Sequence, residues 1–300
     1  MNLPSYHSEG NFSVQGKKII ITGASGGIGK ETAEVLAARG AHVTIASRDM
    51  QRGKDAKTDI LARIPQAHLD VEHCDLGSLA SIHAFAQSYR EKHGHLYALM
   101  NNAGVVTVNR ESTEDGFEKM LGVNHIGHFY LTMQLLPLLN GKDNARIITL
   151  SSGAYKWGMI DFADPHLETF GIWKGYARSK LANVLFTTEL ARRLKTTFVN
   201  AVSVHPGGAS TQIGVDRETG FGQTIHNVLR PFLKTAREGA QTSIYLASTR
   251  ELVNGGYYYN GGKRQALKGT ALDAALAKDL WAWSEIEIER RGFAIDGYRQ

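Results

Sequence analysis

One cysteine in 300 residues, Cys74, leaves no intramolecular disulfide and no cysteine-rich zinc site, and it fits a reducing compartment. Cys74 lies in a segment where apolar residues alternate, which places it in a core. No run of about 18 apolar residues is present, so no membrane span is expected. Residues 1–15 are polar, lack the apolar stretch of a secretory signal and read as a short arm. No block of basic residues, and no interleaving of basic with aromatic side chains, points to nucleic acid, although the formal net charge is +5. Twelve histidines invite a metal hypothesis, and His125 and His128 can share a helix face. No carboxylate–histidine set completes a ligand pattern, so no metal is expected. There is no repeat, linker or compositional break. With 42% apolar and 21% charged residues, the chain reads as a soluble, cytoplasmic globular protein.

What is present is an alternation of strands and helices. Apolar runs and period-two segments predict strands over 17–22, 42–46, 67–74, 96–100, 146–150, 198–204 and 257–259. Helical spacing predicts helices over 28–39, 50–63, 78–93, 113–139, 176–195, 223–233, 238–247 and 271–290. The run Ile19-Ile20-Ile21 suits a strand covered on both faces. Seven strands alternating with helices imply an α/β fold: a Rossmann-type, doubly wound, seven-stranded parallel sheet in a single domain, residues 16–300.

Ligands in such sheets lie at the carboxyl ends of the strands, and the distinctive residues of this chain gather there. After the first strand comes Thr22-Gly23-Ala24-Ser25-Gly26-Gly27-Ile28-Gly29, running into a helix. Glycines permit close backbone approach, and a helix N-terminus offers N–H groups to an anion, so this loop reads as a phosphate cradle for a dinucleotide. It is not a P-loop, since Lys30 is followed by Glu31. The second strand ends in Ser47-Arg48, where an acidic residue would favour NAD and an arginine accommodates the 2′-phosphate of NADP(H). NADP(H) is therefore expected over NAD. The third strand ends in Asp75-Leu76, a carboxylate suited to an adenine amino group. The fourth ends in Asn101-Asn102-Ala103-Gly104, the fifth in Ser151-Ser152, and the sixth in a run from His205 through Pro206 and Gly207 to Thr211. Asn124, in the middle of a long predicted helix where it does not favour helicity, is expected to bond something specific.

Tyr176 and Lys180 stand four apart on a predicted helix, hence on one face. At about 5 Å and an effective dielectric of about 20 the ammonium would stabilise the phenolate by roughly 3 kcal/mol. That would bring the tyrosine pKa from about 10 to about 7.5–8, close to where a general acid–base works best. Such pairs are common by chance; the strand-end residues around this one give it weight.

Together these motifs resemble the short-chain dehydrogenases/reductases over about residues 15–260. The pattern Thr-Gly-x-x-x-Gly-x-Gly falls on Thr22 to Gly29, Asn-Asn-Ala-Gly on Asn101 to Gly104, Tyr-x-x-x-Lys on Tyr176 and Lys180, and Pro-Gly-x-x-x-Thr on Pro206 to Thr211. The resemblance implies a catalytic tetrad of Asn124, Ser152, Tyr176 and Lys180, with Ser152 preferred over Ser151. It implies hydride transfer between the nicotinamide and a carbonyl or alcohol carbon. In that scheme Tyr176 exchanges the proton, Lys180 lowers its pKa and bonds the nicotinamide ribose, Ser152 holds the substrate oxygen, Asn124 positions a water, and Thr211 orients the carboxamide. The stretches Asn124 to Phe129, Tyr176 to Asn183, Gly256 to Tyr259 and Leu280 to Ser284 are similar to the branch of retinol dehydrogenases, WW-domain oxidoreductases and protochlorophyllide reductases. Membrane-bound retinoid enzymes carry a hydrophobic N-terminal anchor, which this sequence does not show. Family dimers and tetramers make a homo-oligomer compatible with the resemblance.

The walls of the site are expected from residues 153–175, with Tyr155, Trp157, Met159, Phe162, Phe170 and Trp173, and from residues 212–235, whose Gly214, Gly220 and Gly222 suggest a mobile lid. Apolar walls favour a lipophilic carbonyl or alcohol substrate over a sugar. The alternatives are a non-catalytic NADP(H)-binding regulator or scaffold, expected to lose part of the tetrad, and an epimerase or dehydratase, for which little room remains after Thr211.

Overall fold

Ile19, Ile20 and Ile21 are wholly buried, as a strand covered on both faces requires. They form the centre of the computed structural model, which describes residues 13–139, 144–207 and 235–295. In chain order the strands are β1 (Lys18–Thr22), β2 (His42–Ser47), β3 (His68–His73), β4 (Ala98–Asn101), β5 (Arg146–Leu150), β6 (Asn200–Val204), β7 (Tyr257–Tyr259) and β8 (Lys263–Gln265). The longer helices are α1 (Gly27–Ala38), α2 (Met50–Arg63), α3 (Leu79–His93), α4 (Gly127–Leu135), α5 (Ile172–Arg193), α6 (Ala236–Ser248) and α7 (Ala274–Glu289).

The sheet order is β3-β2-β1-β4-β5-β6-β7-β8. Ile20 of β1 sits opposite Thr44 of β2 and Leu99 of β4, both in parallel register. The chain runs outward from β1 to β3 and then returns to β4 on the other side of β1. That reversal opens a crevice at the carboxyl ends of β1 and β4. Alternation sends neighbouring side chains into two cores. Ile20, Leu99 and Ile147 join the core with Phe85 of α3, Phe129 of α4, Phe186 of α5 and Trp281 of α7. Ile19, Ile21, Val43 and Ile148 join Leu36 of α1, Ile60 of α2 and Ile244 of α6. Cys74 is buried, and burial pushes its thiol up to about 12. Among the described residues no helix is long and apolar enough to cross a membrane.

Two expectations are corrected. The sheet has eight strands, not seven: β8 pairs antiparallel with β7 across a turn of Asn260, Gly261 and Gly262, all at positive φ. Its sequence, Lys-Arg-Gln, has no apolar alternation to betray a strand, and charges of this kind suit an exposed sheet edge. The long helix predicted over 113–139 is broken. Glu118 caps a short turn, Lys119–Leu121, a π-helical turn follows over Gly122–Ile126, then α4, then a 3₁₀ turn, Leu136–Leu138, at Pro137. Close packing explains the break: side chains on Gly122 or Gly127 would strike Thr113 or the Leu76 carbonyl. The predicted helix over 223–233 lies outside the described residues.

Candidate active site

The chain leaves β1 at Thr22 and enters α1 at Gly27, and the turn between them is closed by a second turn after β4. Gly23 and Gly27 have φ of +67° and +55°, the left-handed region that glycine enters freely. A Cβ on Gly23 would lie 2.9 Å from the Cα of Ala103, and one on Gly29 would lie 2.5 Å from Asn102 Nδ2. Gly26 stands at the N-cap of α1 with no side-chain cap. The first N–H groups of the helix therefore remain for an anion, and Ser25 and Ile28 flank them. Thr22 ties the two turns together. Its hydroxyl accepts from the backbone N–H of Asn102 and of Ala103, at 2.9 Å each, and its carbonyl accepts from Asn102 Nδ2 at 2.7 Å. The Thr22 hydroxyl lies 2.9 Å from His128 Nε2, and His128 Nδ1 lies 3.0 Å from the Asn124 carbonyl. A carbonyl can only accept, so Nδ1 carries the proton and Nε2 accepts from Thr22. Burial holds the His128 pKa down at about 4, which keeps this neutral form.

The next strand ends bring the expected site residues to the same edge. Ideal Cβ geometry at Gly104 puts Asn124 Oδ1 and Lys180 Nζ each 3.5 Å away. Asn124 occupies the π-helical turn and is fully buried. Its amide accepts from the Val105 N–H at 2.8 Å and donates to the Val105 carbonyl and to Ser179 Oγ at 3.0 Å. Ser179 in turn donates to the Tyr176 carbonyl at 2.8 Å. Ser179 was not singled out from the sequence; its place inside the Tyr-to-Lys spacing was the signal for it. α5 begins at Ile172, a turn before the predicted start, and admits Gly175 because Met120 packs where a side chain would go. Ser151 is buried and donates to the Lys180 carbonyl at 2.8 Å, whereas half-buried Ser152 shares a hydrogen bond with Tyr176.

Residues 17–220 match the family model described as short chain dehydrogenase. The chain belongs to the short-chain dehydrogenase family. Retinol dehydrogenase 13 of Homo sapiens is 42% identical over 281 residues, spanning 91% of this chain and 84% of that protein. Among solved structures, an uncharacterized protein from Mycobacterium Paratuberculosis is similar with a TM-score of 0.74 and 33% identity, covering 93% of this chain and 96% of that one. The Pseudomonas aeruginosa RhlG/NADP active-site complex is similar with a TM-score of 0.65 and 27% identity, covering 84% and 97%.

Tyr176 does not show the lowered pKa that the helix spacing suggested. Burial raises it, and the hydrogen bond with Ser152 offsets only part of the rise. Lys180 Nζ is 5.6 Å from the Tyr176 ring centroid, and burial depresses its own pKa to about 8. Desolvation outweighs attraction here because both groups leave water. Without cofactor the Tyr176 phenol is thus protonated at neutral pH.

The remaining expected residues divide by position. Arg48 is exposed after β2, and Asp49 beside it caps α2 by accepting from the Arg52 N–H at 3.0 Å. The Arg52 guanidinium comes to 3.5 Å from the Cβ position of Gly26. Sequence reasoning missed Arg52; a cation in the first turn after Arg48 was the signal. One oxygen of Asp75 accepts from the Gly77 N–H at 2.8 Å, and Leu76 is buried beside it. Pro206 and Gly207 follow β6, with Gly207 at φ +84°. Thr211, with the 212–234 stretch expected as a second wall, lies outside the described residues. Among the described residues no three metal-ligating side chains stand together. His125 turns instead to Ser284, at 3.0 Å, and burial lowers its pKa to about 3.

Lys180 carries a stability prediction. The gap between its ordinary 10.5 and about 8 corresponds to about 3 kcal/mol of penalty for the charged form. That penalty is fully present below about pH 8 and fades as pH rises toward 10.5. Lys180→Met keeps the apolar stem and removes the charge. The cofactor-free variant is expected to be more stable than the parent by up to about 3 kcal/mol at pH 7. Denaturant unfolding at pH 7 and above pH 9 checks this: the gap should narrow at the higher pH. A variant less stable than the parent at pH 7 would show that the contacts of Lys180, such as its 3.4 Å hydrogen bond to the Leu150 carbonyl, outweigh the burial penalty.

Proposed function

We propose that this short-chain dehydrogenase moves hydride between NADP(H) and the carbonyl or alcohol carbon of a lipophilic small molecule. The observation that carries the reading is continuity. Gly23 packs on Ala103, and Lys180 and Asn124 both abut Gly104, so the glycine cradle and the reactive side chains share one edge of the sheet. The cradle's missing side chains and uncapped helix fit a dinucleotide phosphate. When bound, the nicotinamide supplies or takes the hydride. Tyr176, held protonated, gives its proton to a carbonyl oxygen in the reducing direction. Ser152, half-buried and hydrogen-bonded to Tyr176, holds that oxygen. Lys180 is placed to favour the phenolate once the proton has gone. The Asn124 amide is spent on Val105 and Ser179, so contact with a relay water falls to its carbonyl, which already accepts from His128.

NADP(H) is favoured by two cations near the end of β2, Arg48 and Arg52, and by the NADP found with RhlG. NADPH is expected to bind tighter than NADH by at least about tenfold, roughly 1.4 kcal/mol. Arg48→Asp should erase or invert that preference, and Arg52→Ala should reduce it. Equal affinity of the parent for both cofactors, measured by titration, would remove Arg48 and Arg52 from the reading.

A lipophilic substrate is supported by the name of the relative, retinol dehydrogenase, and by the exposed Trp157, Met159 and Trp173 of residues 153–175. Tyr155, also expected as a wall, packs into the interior instead, and Phe162 is half-buried against the same cluster. Cytoplasmic location and a homo-oligomer are part of the proposal, the first supported by the lone buried Cys74. The test is nicotinamide absorbance with retinal, retinol and a panel of aliphatic and aromatic aldehydes. Cofactor binding without turnover on any member would favour a non-catalytic regulator.

A further inference from the structure

Residues 153–175 carry two kinds of aromatic side chain. Tyr155 is buried and packs edge-on against Tyr257, and Phe162 packs against Trp283. Trp157 and Trp173 do neither. They are 66% and 57% exposed, beside Met159 and Ile172, which are exposed too. Their ring centroids are 5.7 Å apart, and the Trp173 centroid is 6.3 Å from that of Tyr176. Trp173 precedes Tyr176 by three residues and Lys180 by seven on α5, so all three share a helix face. Trp157 ends the 3₁₀ turn, Gly153–Trp157, that begins directly after Ser152. Both indoles are therefore fixed to the elements that carry the proton donor and its hydroxyl partner. Trp157, Trp173 and Tyr176 thus form a run of three neighbouring, mutually tilted aromatic rings.

We infer that Trp157 and Trp173 form an aromatic plate that reads the body of the substrate and selects planar, conjugated or aryl alcohols and carbonyls over saturated chains. Two large indoles left in water beside a reacting group mark a binding surface, not core packing. Indole faces carry a quadrupole, so a flat π system gains an offset or edge-on contact beyond simple area burial, and a saturated chain gains area alone. Selection by ring geometry also needs ring positions that do not wander, and α5 and the Ser152 turn supply them. The inference rests on Tyr176 as the reacting group but concerns a different property, recognition of the substrate body.

The test is binding by calorimetry to the NADP⁺-loaded protein, with cinnamyl alcohol and nonan-1-ol as the planar and saturated probes. Trp173→Leu and Trp157→Leu keep an apolar surface and remove the π face. Each is expected to weaken cinnamyl alcohol about fivefold to tenfold and to change nonan-1-ol by less than about twofold. Trp173→Phe should restore most of the planar affinity. Equal weakening of both probes, or no change in either, would overturn the inference and leave at most a plain apolar wall. Tyr176-dependent turnover is measured separately. Turnover with no probe discrimination sinks this inference alone, and discrimination without turnover sinks the proposed reaction alone.

Discussion

Tyr176→Phe is expected to lower kcat/KM by about 10³-fold while NADPH affinity stays within about twofold of the parent. The ring remains, so its tilted contact with Trp173 and its place over Lys180 survive. What goes is the hydroxyl, and with it the proton for the substrate oxygen. The raised pKa sharpens the expectation, since a phenol held neutral by burial is poised to donate. Ser152 is a hydroxyl of much weaker acidity, and Lys180 faces Leu150, whose carbonyl it reaches at 3.4 Å. The loss should fall on kcat, because the interaction removed is made as the proton moves. Steady-state rates on any carbonyl the parent reduces, with a parallel cofactor titration, decide it. Parent-like rates would dismiss Tyr176 as the proton donor. An equal loss of cofactor binding would make its role structural.

The central strands and the strand-end residues were legible because each announces itself locally. Ile19-Ile20-Ile21 is apolar enough to be read as doubly covered, and Gly23, Gly27 and Gly29 after it serve positive φ or close approach. The features that were not legible depend on partners far along the chain. β8 exists because β7 offers an edge, not because Lys263-Arg264-Gln265 favours a strand. The π-helical turn at Asn124 answers to Leu76 and Thr113 packing on Gly127 and Gly122. Arg52 reaches the glycine loop only because Asp49 caps α2 and sets its first turn. The Tyr176 pKa was misjudged for a similar reason. Helix spacing gives the distance to Lys180 but says nothing about how thoroughly both groups are withdrawn from water.

Arg178→Ala is expected to destabilise the protein by about 3–5 kcal/mol, although its hydrogen bonds go to Glu118, Asp164 and Pro165 and not to Asn124, Ser152, Tyr176 or Lys180. It lies between Tyr176 and Lys180 on α5, and its guanidinium meets the Glu118 carboxylate at 2.9 Å with both side chains buried. Glu118 also accepts from the N–H groups of Met120 and Leu121, at 2.9 Å each, which starts the helical turn leading to Asn124. On its other side Arg178 donates to the carbonyls of Asp164 and Pro165, at 3.2 and 3.1 Å, and so holds that part of the segment before α5 against the helix. Removing the cation strands a buried carboxylate and frees two half-buried carbonyls at once. The exposed pair Arg110–Glu168 makes the comparison: it also fastens residues 153–175, but in water, and Arg110→Ala should cost no more than about 1 kcal/mol. Denaturant unfolding of both variants measures the contrast. The double change Glu118→Gln with Arg178→Met separates charge from packing, because it removes both ions and keeps the bulk. It should recover at least half of the stability lost in Arg178→Ala, since much of that loss is the unpaired carboxylate. If the double variant is as unstable as the single one, the cost lies in the lost hydrogen bonds to Asp164 and Pro165 and not in the buried charge.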